Sequence, residues 1–252
     1  MLQSGSGNII IISALTLVFL LGTGCEKSIF FSSEQKVSKK IFLDPFGEME
    51  VNDIFAIELR NDSVFSVELT GGKNLVDNIS FSISENRLEL KDNNSLKWLP
   101  DYPGVRLTVS LPDINVITLN APARIFSADT LNVSSLSVFS LGLLTETDLT
   151  VKASHIHLRT QTTDFGHYTF KGKSESSDLV IFGSAQLHAV ELETSDARVR
   201  NYSTGDCYVH AGKLLRVRLE HYGNIYYRGS PGEIIIERMN SRGRLIEINA
   251  ER

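Results

Sequence analysis

Along most of the chain, apolar and polar residues alternate one for one in short runs. Phe65-Ser66-Val67-Glu68-Leu69, Ile79-Ser80-Phe81-Ser82-Ile83, Val105-Arg106-Leu107-Thr108-Val109 and Leu215-Arg216-Val217-Arg218-Leu219 are examples. A period of two sends successive side chains to opposite faces, so each run predicts a strand with one face in a core and one in water. The runs are rich in Val, Ile, Phe, Tyr and Thr, whose branched or aromatic side chains suit a pleated surface. Helical periodicity is almost absent. One helical turn is expected around Lys73 to Asn78, after the Gly71-Gly72 break.

The second half repeats. Gly166, Gly183, Gly205, Gly223 and Gly243 are spaced 17, 22, 18 and 20 residues apart and open the runs GHYTFK, GSAQLH, GDCYVH, GNIYYR and GRLIEI. Aligned on the glycine, the second position reads Tyr168, Ala185, Cys207, Ile225, Leu245, and the fourth reads Phe170, Leu187, Val209, Tyr227, Glu247. The first position is polar throughout. Alternation that recurs at this interval is what a parallel β-helix or β-solenoid requires, with about 17–22 residues per coil. Short β-strands of the same domain precede the coils. The competing architecture is an antiparallel sandwich with hairpins of similar length.

The first two dozen residues break this pattern. Ile9 to Leu21 is a run of thirteen residues without a charge. A membrane-spanning helix needs roughly 20 apolar residues, so the run has the length of a signal-peptide core. Small residues Gly22-Thr23-Gly24 follow, then Cys25. The string LGTGC resembles a bacterial lipobox, although Gly22 stands where leucine is usual and no Lys or Arg precedes the run. The resemblance implies cleavage after residue 24, lipidation of Cys25 and a polar tether over 25–40, with the solenoid body over 41–252. It also implies export across the inner membrane and lipid anchoring in the cell envelope, at the outer membrane.

Composition narrows the remaining chemistry. The 252-residue chain has 25 Lys and Arg against 30 Asp and Glu, a balance that disfavours nucleic acid as a partner. Cys207 is the second cysteine and has no mate once Cys25 is lipidated, so neither a disulfide framework nor a zinc site is expected, and no cofactor. Three stretches then carry a family resemblance. They are FGEMEVNDIFAIELRNDSVFSVELTGGKNLVDNISFSISENRLEL, GVRLTVSLPDINVITLNAPARI and the glycine-led coils ending in GNIYYRGSP. Over roughly Phe42 to Ile248 the chain resembles the "putative auto-transporter adhesin", head GIN domain, of secreted and lipidated proteins of the Bacteroidetes. The resemblance implies a β-solenoid fold; the adhesin label reflects architecture, and no catalytic or ligand motif comes with it. The bulky residues of Phe139-Ser140-Leu141-Gly142 and Glu220-His221-Tyr222-Gly223 depart from the Gly/Ser-rich coils usual there.

The outward positions supply candidate binding residues. The glycine alignment puts Lys171, His188, His210 and Arg228 in one basic column, partly offset by Glu191, Glu193 and Asp206. It puts Tyr208 and Tyr226 together after Thr169 and Gln186, as a flat aromatic platform for a sugar or a protein surface. Arg198, Arg200, Arg216 and Arg218 form a second basic patch, which favours an anionic partner. His155 and His157 share one side of a strand without further ligands for a metal. Asp178 and Asp196 sit at equivalent corners, where short polar side chains bond local backbone. Trp98 lies in a rigid Pro-rich loop. The expected function is a lipid-anchored, non-catalytic binding or adhesion module for a glycan or protein. The alternatives are an envelope assembly protein that self-associates through an open solenoid end, and a carbohydrate-active β-helix enzyme.

Overall fold

The computed structural model describes residues 35–95, 97, 102–240 and 242–248. Cys25, the apolar N-terminal run, most of the tether and Trp98 lie outside the described residues. The structure is 64% strand and 2% helix and winds through about seven turns, which makes it an all-β solenoid.

Nineteen strands form one continuous hydrogen-bonded sheet that coils on itself. Two stacks of parallel strands run along it. The first stack contains β3 (Phe55–Asn61), β9 (Ala123–Ser127), the first halves of β12 (Glu146–Arg159), β13 (His167–Gly183) and β14 (Gln186–Ser203), then β15 (Cys207–His210), β17 (Ile225–Arg228) and β19 (Leu245–Glu247). The second contains β2 (Glu48–Val51), β8 (Val116–Leu119), β11 (Ser135–Ser140), the second halves of β12 to β14, then β16 (Leu214–Leu219) and β18 (Glu233–Met239). A short β10 (Leu131–Asn132) bridges the stacks where the long strands bend.

Register turns the alternating pattern into axial columns of like residues. Val138, Leu158, Leu179, Val199 and Val217 pair in succession and are all buried. Burying such a side chain stabilises the fold by about 1.5–3 kcal/mol. The next residue in that column, Ile236 on β18, is 53% exposed, because it belongs to the last described coil.

The N-terminal end is built differently. The coil made by β6 (Arg87–Asp92) and β7 (Arg106–Leu111) lies outermost, and β2 and β3 are sandwiched between it and the coil of β8 and β9. Antiparallel strands then close both stacks: β5 (Ile79–Ser84) on β6, and β4 (Ser66–Gly72) on β7 with β1 (Lys36–Phe42) on β4. The predicted helical turn is α1 (Lys73–Asp77), which buries Leu75 and Val76. Lys36 to Lys40, read from the sequence as the end of the tether, are strand. Exposed Lys36, Lys39 and Lys40 on this edge discourage pairing with another sheet.

One expectation about register is corrected. Gly183 is not the counterpart of the other four glycines. The axial corner column runs Gly166, Ala185, Gly205, Gly223, Gly243, so the repeat is 19, 20, 18 and 20 residues. A Cβ on Gly223 would fall against the carbonyl oxygen of Gly205, and one on Gly205 against that of Ala185. Gly183 has a left-handed backbone, φ 71°, and stacks over Asp164 two residues earlier in the coil. The same slip of two separates Asp178 from Asp196, which pair with Arg198 and Ser176 respectively.

Candidate binding surface

The corrected register rearranges the outer face of the first stack. Thr169, His188, Tyr208, Tyr226 and Ile246 form one column. His188 therefore replaces Gln186 beside the tyrosines and leaves the basic column. The rings lie nearly parallel, at 7°, with centroids 5.0 Å apart for His188–Tyr208 and 4.7 Å for Tyr208–Tyr226. This matches the spacing of parallel strands, so stacking follows directly from coil geometry. It also covers both faces of Tyr208. The ladder offers ring edges and hydroxyls to solvent, not the open platform expected from the sequence. Asn224 fixes its end, donating from Nδ2 to the Tyr226 hydroxyl at 3.3 Å and to Asp206 at 3.2 Å. Burial, and then the charge of His167, lower the pKa of His188 below its ordinary value, which favours the uncharged ring in the stack.

His210 pairs with Arg228 in the next coil, and Lys171 pairs with Glu191 across a bulge. Lys171 also lies 3.3 Å from Asp148. The basic column of four is thus broken into His210–Arg228 and a neutralised lysine.

The arginine patch is neutralised too. Arg200 donates to both oxygens of Asp178 at 2.8 and 2.6 Å, and Arg198 lies 2.8 Å from Glu237. Arg218 lies 3.7 Å from Glu237 and 3.9 Å from Glu220, which also meets Arg238 at 3.3 Å. Asp178 comes from β13, Glu237 from β18 and Glu220 from just after β16, so the patch is a cross-coil ion-pair network. Among the described residues Arg216 alone of the four has no ion pair. Each partly exposed pair contributes about 0–1 kcal/mol, so the network's main effect is to remove free positive charge.

His155 and His157 diverge in their contacts. His155 Nδ1 is 2.9 Å from the Ser176 hydroxyl, while His157 packs 5.5 Å from the Phe139 ring and 3.9 Å from Asp178. Burial lowers the His157 pKa against the opposing pull of Asp178. Among the described residues no group of three or more His, Cys, Asp or Glu converges as a metal site would. Cys207 is fully buried, and burial raises its thiol pKa, so it packs as a small apolar residue.

A feature absent from the sequence reading adjoins the ladder. Where each coil bends between stacks, a groove of about 860 Å³ runs along the axis past six successive coils, from Asp113 to Lys213. It is lined by small residues, including Ser134, Ala153, Ser154, Ser174, Thr194, Ser195 and Gly212, together with Lys152, Lys173, Glu193, His210 and Lys213. Lys173 and Glu193 pair at 2.8 Å, and Lys152 and Lys213 have no ion pair among the described residues. Small residues at each bend keep the floor low, and their recurrence about every twenty residues was the signal available in the sequence. His210 joins the groove to the aromatic ladder. The surface can hydrogen-bond an extended polar ligand along several coils.

These features define a parallel β-solenoid that presents ordered ladders of side chains on its outer face. The sequence profile described as "Putative auto-transporter adhesin, head GIN domain" matches residues 45–231, and the chain belongs to that family. A "putative adhesin" from Bacteroides fragilis superposes with a TM-score of 0.77 at 17% identity, over 86% of this chain and 98% of that one. One from Parabacteroides distasonis gives 0.62 at 19% identity over 86% and 98%. Another from Parabacteroides merdae gives 0.54 at 16% over 85% and 96%. At these identities the likeness is one of fold. The chain has no significant match among curated proteins.

Proposed function

We propose that this chain is a lipid-anchored, non-catalytic binding module of the outer membrane, exported by its N-terminal segment and held through Cys25. Its ligand is an extended glycan or protein segment bound along the groove, with the His188–Tyr208–Tyr226 ladder and the His210–Arg228 pair forming one bank. The groove carries this reading. It crosses six coils, is lined by serine and threonine hydroxyls and holds two lysines, Lys152 and Lys213, without an ion pair among the described residues, which suits a polymer better than a compact substrate. A full-length Cys25→Ser protein tested on an array of linear glycans is expected to bind acidic chains. Lys152→Ala/Lys213→Ala is expected to weaken that binding at least tenfold, and Tyr208→Ala/Tyr226→Ala to weaken it less. Binding unchanged in the lysine variant would remove the groove from the reading.

A second reading rests on the last described coil. Ile234, Ile236 and Met239 occupy positions whose counterparts one coil earlier are buried, yet all three are exposed. Such an end suits stacking on a copy of the chain. Sedimentation of the parent and of Ile234→Lys/Ile236→Lys distinguishes it: a dimer lost in the variant supports assembly, and a monomeric parent opposes it.

A further inference from the structure

Each coil has a second corner, where the second stack returns to the first. The paired registers align it into one axial column. Lys36 pairs with Gly72, and the pairings Thr70–Arg106 and Ala56–Arg106 carry that line through Gly104 to Ile54. Phe55–Ala123, Arg124–Glu146 and Glu146–His167 extend it to Pro122, Leu144 and Phe165. Ile54, Leu144 and Phe165 are 57%, 64% and 55% exposed. Leu141 and Leu143 flank them and are about half exposed as well. Beyond Phe165 the same column turns polar, at Ser184 and Thr204. The apolar ridge is about 14 Å long at the spacing of parallel strands.

Three observations say what this ridge meets. Leu144 holds a left-handed backbone, φ 54°, where glycine or asparagine would be less strained, and it points a large apolar side chain at solvent. Exposed basic residues border the ridge: Lys36 at the head of the column and Arg106 beside the hollow that Ile54, Pro122 and Leu144 line, where Arg124 lies 3.8 Å from Glu146. Finally, the first described strand, β1, begins in this column, at Lys36. Ten residues, Glu26 to Gln35, separate it from Cys25, a reach of at most about 35 Å. An apolar ridge bordered by Lys36 and Arg106, in the column from which the chain leads back toward Cys25, fits an anionic lipid surface.

We propose that the Ile54–Pro122–Leu144–Phe165 corner rests on the membrane to which the chain is tethered. The solenoid then lies along the bilayer, with the groove, at the other bend of each coil, turned away from it. This rests on the lipidation of Cys25 proposed above.

The test uses the full acylated chain in vesicles of phosphatidylethanolamine and phosphatidylglycerol. One fluorophore is placed at Phe165→Cys or, for comparison, at Ser195→Cys in the groove, and nitroxide-bearing lipid serves as quencher. Quenching at residue 165 is expected to exceed that at 195 several-fold, and to fall to the level at 195 in a Leu144→Asn background that melts no lower than the parent. Equal quenching at the two positions overturns the proposal. Intact mass separates the two readings, since an unacylated Cys25 defeats anchoring alone. The ridge is then read from the Cys25→Ser chain, which is expected to pellet with the same vesicles and to do so less after Leu144→Asn. A parent that does not pellet overturns the ridge as a lipid contact. So does a Cys25→Ser chain that dimerises and becomes monomeric on Leu144→Asn while its vesicle binding is unchanged.

Discussion

Asp164 is the clearest case of a residue whose environment sets its chemistry. It is fully buried where the second stack turns back, accepts the Gly166 backbone N–H at 2.7 Å, and takes a hydrogen bond from the Tyr168 hydroxyl. Burial raises its pKa above the ordinary carboxylate value, and these donors only partly oppose it. A carboxyl whose native pKa is raised binds its proton more tightly folded than unfolded. Its contribution is therefore full at acid pH and is lost as pH rises through the native value. Urea melts of the parent and Asp164→Asn across pH 4 to 8 are expected to show the parent losing stability relative to the variant as pH rises. A flat difference would contradict this. Gly223 makes a steric prediction at the same scale. A Cβ there meets the Gly205 carbonyl, whereas one on Gly232 has its nearest neighbour at 3.8 Å. Gly223→Ala is expected to cost about 1–3 kcal/mol of overpacking, and Gly232→Ala to be near neutral or slightly stabilising, by thermal and denaturant melts.

At the scale of the strand, burial depends on whether a further coil lies above. Leu158 sits mid-column and is fully buried, so Leu158→Ala is expected to cost about 2–5 kcal/mol. Ile236→Ala, at the half-open end of the same column, is expected to cost less than half as much in the same denaturant titration. The strands themselves were legible in the sequence because a period of two is a local property. Their register was not. Glycine marks two different places in this coil: the tight corner at Gly166, Gly205, Gly223 and Gly243, and the left-handed turn at Gly183. Ala185 fills the corner in that coil and escapes an alignment on glycine. The resulting slip of two residues keeps every apolar side chain on its face, so the alternation could not expose the error. That slip separated His188 from Tyr208, on which it stacks, and hid the approach of Asp178 to the arginines of the next coil, while Glu237 lies at a separate register shift between β16 and β18. Tyr208→Ala, which breaks both stacking contacts, is expected to lower stability by about 0.5–1.5 kcal/mol per pair beyond lost burial, while Tyr208→Phe is expected to be neutral.

Over the whole molecule, the solenoid follows from repeated alternation, whereas the threading of β2 and β3 between later coils is a long-range choice with no local signature. The groove lay in plain view as Ser134, Ser154, Ser174, Ser195 and Gly212, but small residues at bends carry no chemistry until coils are stacked. The polar groove and the apolar ridge exist only in the assembled coil. The roles proposed for them require that the body be held at a membrane through Cys25. The direct measurement is the intact mass and N-terminal peptide of the full-length chain expressed in a bacterium with lipoprotein processing and recovered from its envelope. The recovered chain is expected to begin at Cys25, to carry two or three acyl chains and to partition into detergent. A chain cleaved elsewhere, carrying no lipid and recovered in the soluble fraction, would contradict lipid anchoring.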